Sequence, residues 1–150
     1  MTVENHNAAL HFVERHRNSN IADKPAFVEG TEAGRSLTYR ELGDQSDQMA
    51  GLLANHNIRR EDRAAMLVLD CIEFPVIFWG CIKAGVIPVP LNTLLATEVY
   101  ASILRDSRAR VLFISASLLA VVEPTFAENP FLETVIVVGD ASGKYLSFAG

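Results

Sequence analysis

Four short apolar runs, residues 64–69, 86–91, 111–114 and 134–138, recur along this chain with helical patterns between them, and nothing else constrains its fold as tightly. Each has the length of a strand and none alternates with polar residues, so each reads as a strand buried on both faces. Two such strands joined through a helix form a βαβ unit, which demands parallel pairing. The expectation is therefore an α/β protein with a layered, mainly parallel sheet and flanking helices on both faces. At 150 residues and 49% hydrophobic content, the chain can bury about two thirds of its surface as one domain.

The intervening segments carry their own signals. Residues 8–15 hold Leu10, Phe12 and Val13, a pattern for a peripheral helix packed by its Leu10 and Val13 side. Residues 26–29 and 35–37 flank the turn-rich Gly30-Thr31-Glu32-Ala33-Gly34, which predicts a hairpin. Thr38-Tyr39-Arg40-Glu41 is a capping box that opens a helix, along which Leu42, Met49, Leu52, Leu53 and His56 recur. Asp70 is placed to cap a helix that is apolar nearly all round, with Pro75 near its start, Lys83 in its last turn and Gly85 just past its end. Phe74, Phe78 and Trp79 on that helix read as packed core rather than a ligand pocket. Thr97 is placed to cap the next helix, with Glu98 near its positive end, Arg105 and Arg108 near its negative end, and the i,i+4 pairs Val99/Ile103 and Tyr100/Leu104. Leu118, Leu119, Val121 and Val122 suggest one more.

Several function classes are disfavoured. A net charge of −5 with scattered basic residues gives no footprint for nucleic acid. Residues 74–91 are apolar, but Lys83, Pro88 and Pro90 interrupt them, so no membrane span is expected. Residues 1–7 lack the basic start and apolar core of a signal peptide, and Cys71 and Cys81 read as buried reduced thiols, which together suit a cytoplasmic location. The histidines at 6, 11, 16 and 56 make no i,i+4 metal pair and suit surface or capping roles, so no metal site is expected. Ser36, Ser107 and Ser115 lack a nucleophile frame. Glu41, Asp70, Glu98 and Asp106 sit at helix ends or on solvated faces. Gly139-Asp140-Ala141-Ser142-Gly143-Lys144-Tyr145 follows a strand as a phosphate loop would, but its glycines are one residue too close and Tyr145 stands where a small hydroxyl is needed. A solvent-exposed turn is the expectation. Pro88-Val89-Pro90-Leu91-Asn92-Thr93 leads from a strand into a loop that reads as a structural turn or, because ligands bind at strand carboxyl ends, as the wall of a substrate path.

Lys83-Ala84-Gly85-Val86-Ile87-Pro88-Val89-Pro90-Leu91-Asn92-Thr93-Leu94-Leu95-Ala96 resembles the adenylate-forming (AMP-binding) acid-CoA ligases. Leu91-Asn92-Thr93-Leu94-Leu95, with Tyr100 and Asp106-Ser107-Arg108-Ala109, is most similar to the benzoate-CoA ligase type. The similarity continues through residues 7–15, Leu37-Thr38-Tyr39-Arg40-Glu41-Leu42 and residues 74–92, in the family's N-terminal order. The resemblance implies that residues 1–150 are the N-terminal subdomain of the adenylate-forming enzyme large domain. It implies a parent enzyme that uses ATP and Mg to convert benzoate or a substituted benzoate, an aromatic carboxylic acid, to an acyl-adenylate and then passes the acyl group to coenzyme A. A carboxylate is anionic and lacks a leaving group, and adenylation supplies one.

Residues 1–150 do not supply the family's phosphate loop, its ribose-binding acid or its C-terminal domain with the adenylation lysine, and Leu94 and Leu95 stand where some relatives carry a basic residue. No catalytic, cofactor-binding or metal residue carries over. Asn92, Thr93 and Tyr100 are the substrate-side candidates. Alone, the chain is expected to be inactive, to bind none of these cofactors, and to self-associate through an unpaired sheet edge and an exposed apolar face. The alternatives are a non-catalytic α/β assembly or binding module, one chain of a split ligase, and a free-standing nucleotide-binding domain, the last disfavoured by the lack of a glycine fingerprint.

Overall fold

The computed structural model describes residues 7–32, 34–141 and 143–148. The chain divides into two compact units, Met1–Arg60 with Asp70–Val86, and Glu61–Leu69 with Ile87–Gly150.

The first unit opens with a π turn, Leu10–Glu14, that runs into α1 (Arg15–Arg17). Val13 is buried as expected, whereas Leu10 is exposed. The wider i→i+5 spacing of a π turn takes residues three apart off a common face. The predicted hairpin is present as β1 (Pro25–Val28) antiparallel to β2 (Ser36–Thr38), with Phe27 opposite Leu37; Ala33 in its turn lies outside the described residues. The capping box then starts α2 (Tyr39–Asn55): the Glu41 amide donates to Thr38 Oγ1 at 3.2 Å and the Thr38 amide donates to Glu41 Oε2 at 2.8 Å. Leu42, Met49 and Leu53 are buried along one face, and His56 forms the C-cap.

The helix α3 (Glu73–Ala84) corrects two expectations. Asp70 does not cap it; the N-cap is Ile72, whose amide donates to Glu29 Oε1 at 3.0 Å, so a carboxylate from the hairpin does the capping. Phe74, Phe78 and Trp79 are half-buried rather than core, which is made of Pro75, Val76, Ile77, Gly80 and Cys81. The helix ends as read: Gly85 takes a left-handed φ of 74°, and the Val86 amide returns to the Cys81 carbonyl at 2.9 Å. Lys83 in the last turn pairs with Glu14 and Asp47 and donates to the Gly43 carbonyl, while Arg17 pairs with Glu14, Asp44 and Asp47. Five charged side chains thus cross-link α1, α2 and α3. Helices α2 and α3 pack tightly at Gly80, where an added Cβ would lie 2.3 Å from Met49 Cγ and 3.1 Å from the Ser46 carbonyl oxygen.

The second unit is a five-stranded sheet of β3 (Arg63–Leu67), β4 (Ile87–Pro90), β5 (Val111–Ser115), β6 (Thr134–Val138) and β7 (Leu146–Ser147). Its order is β4-β3-β5-β6-β7 and every pair is parallel, which realises the α/β expectation. The two-residue β7 carries no periodicity and was not legible. Helix α4 (Thr97–Ser107) follows β4, capped by the extended Ala96 without a side-chain bond, so Thr97 is its first residue rather than its cap. The later helical pattern is α5 (Leu119–Val122), flanked by 3₁₀ turns at Ala116–Leu118 and Glu123–Glu128. Tyr100 and Leu104 of α4 join Ala65, Leu67, Leu112, Ile114 and Val137 in one core cluster, so α4 covers one face of the sheet. The alternate residues Ala64, Met66, Phe113 and Ile136 are buried too, which is why the strand sequences do not alternate. Arg110 ties the base of this sheet, donating to Asp62 Oδ2 at 2.7 Å and pairing with Glu133.

The strand β4 corrects the expectation of burial on both faces: it lies at the sheet edge, with Ile87 and Pro90 exposed and Pro88 and Val89 half-buried, and it has a chemical asymmetry. Ile87 and Leu91 donate to Asp62 and Met66 on the β3 side, so residues 88 and 90 face outward, and both are proline. The outer edge of β4 therefore offers no N–H donor to an added strand. Replacing Pro88 and Pro90 together by valine restores two donors, and size-exclusion chromatography is expected to show more self-association than in the parent; an unchanged elution profile would refute the edge argument. For the helix pair, Gly80→Ala is expected to destabilise by about 1–3 kcal/mol despite alanine's better helix propensity. Gly51→Ala, with nothing within 4 Å of its Cβ position, should stabilise by about 0.5–1 kcal/mol. Urea unfolding of both variants checks the contrast.

Candidate functional site

The loop that leaves β4 gathers the three residues singled out from the sequence. Because the sheet is all parallel, residues 91–96 emerge at its carboxyl edge, the side on which open α/β sheets hold ligands. Tyr100 reaches this loop from the first turns of α4. Its phenol donates to the Asn92 carbonyl at 2.8 Å and accepts the Leu95 amide at 3.0 Å. The Asn92 side chain accepts the Leu94 amide at 2.8 Å, an Asx turn. Asn92 and Tyr100 are thus brought together through the backbone, with Thr93 half-buried between them. Tyr100 is itself buried, so it shapes the loop and presents no surface.

A second concavity belongs to the first unit. Phe27, Val28, Ile72, Phe74 and Pro75 line a cleft of about 260 Å³ together with Asp70 and Cys71. It was not legible in the sequence because it joins the hairpin to residues more than forty positions away. The one signal was the apolar Phe27 and Val28 on a short strand, both of which are exposed. An Arg35 clasp holds the cleft: Arg35 donates to Glu29 Oε1 at 2.6 Å and to Glu73 Oε1 at 2.6 Å. The Arg35 guanidinium and the Ile72 amide hold the Glu29 carboxyl below its ordinary 4.5. Burial opposes ionisation of Glu73, but hydrogen bonds from Arg35 and Cys71 outweigh it and its pKa is also lowered. Burial and the Glu73 carboxylate push the Cys71 thiol up to about 11, and burial pushes Cys81 to about 12. Both cysteines are free and protonated at neutral pH; Cys81 is buried as expected, Cys71 only half-buried.

The remaining sequence candidates have structural partners. Lys144 pairs with Glu123, which also accepts the Tyr145 phenol at 2.7 Å, so this lysine is turned to a carboxylate; Ser142 of the same segment lies outside the described residues. His11 and His16 share Arg15 between their ring nitrogens, and His6 lies outside the described residues. Among the described residues no three His, Cys, Asp or Glu side chains cluster as metal ligands, and no helix is long and apolar enough to cross a membrane.

The AMP-binding enzyme family matches residues 13–147. A 4-hydroxybenzoate-CoA/benzoate-CoA ligase of Rhodopseudomonas palustris is 40% identical over 149 residues, covering 99% of this chain and 27% of that protein. A benzoate-CoA ligase of Thauera aromatica is 36% identical over 145 residues, covering 96% and 27%. Among solved structures, the anthranilate CoA ligase AuaEII in complex with anthranoyl-AMP matches with a TM-score of 0.84 at 34% identity, over 94% of this chain and 26% of that one. The chain therefore spans about a quarter of the length of these relatives.

The clasp makes the cleft pH-sensitive in a defined direction. Both carboxyls are depressed in the folded state, so their contribution is complete above the unfolded value near 4.5 and is lost as pH falls through the lower folded values. Arg35→Ala is expected to lower the melting temperature at pH 7 and to flatten its fall below about pH 4.5. Parallel melting curves for parent and variant would expose the clasp as inert.

Proposed function

We propose, because this chain belongs to the AMP-binding enzyme family, that it is the N-terminal subdomain of the large domain of an aryl-CoA ligase. That enzyme activates benzoate or a substituted benzoate with ATP to an acyl-adenylate and transfers the acyl group to coenzyme A, acting in the cytoplasm on aromatic acids. The observation that carries this reading is the 40% identity to a 4-hydroxybenzoate-CoA/benzoate-CoA ligase along 99% of the chain.

The cations that the described ion pairs hold do not fit MgATP. Lys83, Lys144, Arg17, Arg35 and Arg110 are each bonded to carboxylates, which leaves them poor partners for a triphosphate. No adenylation step is therefore routed through this chain. Its contribution is the parallel sheet and the carboxyl-edge loop, with Asn92, Thr93 and Tyr100 shaping the substrate side. Residues 1–150 form an incomplete AMP-binding domain on this reading, inactive alone.

The test expresses the full coding sequence that contains these residues and assays it with ATP, coenzyme A and a panel of benzoates. Aryl-CoA, AMP and pyrophosphate formed together are the expected products. Absence of thioester with every acid would overturn the reading, and thioester formation by residues 1–150 alone would overturn the scaffold role.

A further inference from the structure

The Tyr100 phenol has an unusual allegiance. It is 2% exposed and belongs to the core cluster of α4 and the sheet, yet both hydrogen bonds of its hydroxyl go to the loop beyond β4 and none to the core. With the Asn92 side chain on the Leu94 amide, the phenol fixes two consecutive loop amides, those of Leu94 and Leu95. Leu91 and Leu95 turn inward against the core, and Leu94 between them is 90% exposed, the largest exposure among the exposed large hydrophobic side chains described. An exposed leucine alone says nothing. A leucine held at a loop tip by three hydrogen bonds, at the carboxyl edge of a parallel sheet, is preorganised for contact.

We propose that Tyr100 is a positioning residue: its hydroxyl latches residues 92–95 so that Leu94 is presented to an uncharged part of a substrate. The inference rests on the ligase reading and deepens it, since it assigns Tyr100 a role through the loop backbone and moves the contact to Leu94. No charged residue lies between Leu91 and Thr97, so the loop selects for apolar surface and not for phosphate. The shared chemistry is met by the aryl ring of the acid and by the neutral arm of coenzyme A, and kinetics distinguish them.

The experiment uses the complete ligase with Tyr100→Phe, which keeps the ring in the core and removes only the hydroxyl, and with Leu94→Ser, which alters an exposed position. Each is expected to raise KM about tenfold for the same one substrate, the acid or coenzyme A, with kcat retained, a loss the size of one or two hydrogen bonds. Amide exchange at Leu94 and Leu95 should accelerate in Tyr100→Phe, while the melting temperature of Leu94→Ser stays that of the parent. A purely structural tyrosine would lower the melting temperature and leave both KM values alone. That result, or unchanged kinetics in Leu94→Ser, overturns the proposal while an active parent enzyme upholds the ligase reading. A parent that forms no aryl-CoA overturns the reading and this role with it.

Discussion

The second unit depends on β3, five residues that bond in parallel to β4 on one side and to β5 on the other. Parallel strands cannot be joined by a tight turn, so each connection has to leave the sheet and return to the same starting edge. The segments that follow β4, β5 and β6 are therefore gathered at one carboxyl edge. Gly139 after β6 and Ala116 after β5 are neighbours there: a Cβ at Gly139 would sit in ordinary contact, 3.5 Å from the Ala116 Cβ. Burial on both faces then keeps Ala64–Leu67 of β3 and Val111–Ile114 of β5 wholly apolar, with Arg63 and Ser115 only at the strand ends.

That constraint explains why the sheet could be read from the sequence and other features could not. Thr134–Val138 was legible to the residue because four consecutive β-branched apolar residues follow a β-branched threonine, a run that suits a strand buried at its far end. The capping box at Thr38 and Glu41 was legible because its two partners are three residues apart. Asp70 and Thr97 were misread by the same local logic. The α3 amide has a better acceptor in Glu29, forty-three positions earlier, and no one-dimensional pattern reports it. The aromatic run at Phe74, Phe78 and Trp79 was misjudged because apolarity says that a side chain avoids water, not how completely it does so. For the candidate site, Asn92, Thr93 and Tyr100 were found from the loop and its resemblance. The direction of the Tyr100 hydroxyl, toward the loop and not the core, needed the fold.

The ion pairs follow a consistent arrangement. Arg17 and Lys83 join α1, α2 and α3, Arg35 joins the hairpin to α3, Arg110 joins the starts of β3 and β6, and Lys144 fixes the approach to β7. Each links segments that are distant in sequence, and most are at least partly exposed, so they specify register more than they add stability. The acidic partners are correspondingly held ionised, as the lowered pKa values of Glu29, Asp47 and Glu123 reflect.

This arrangement bears on chemistry. Stabilising a polyphosphate or a developing alkoxide requires cations or donors that are aimed at empty space and do not have to break an existing bond. A guanidinium already held by two carboxylates would have to give up both before serving a substrate, and the cost of reorganising it would cancel its benefit. Arg17, Arg35 and Arg110 are in that position. The loop after β4 is in the opposite one: Tyr100 and Asn92 bond two of its amides and one of its carbonyls, its tip is neutral and its geometry is set in advance. Within the ligase reading, the residues of this loop are suited to supplying shape, and not charge, at the carboxyl edge of the sheet.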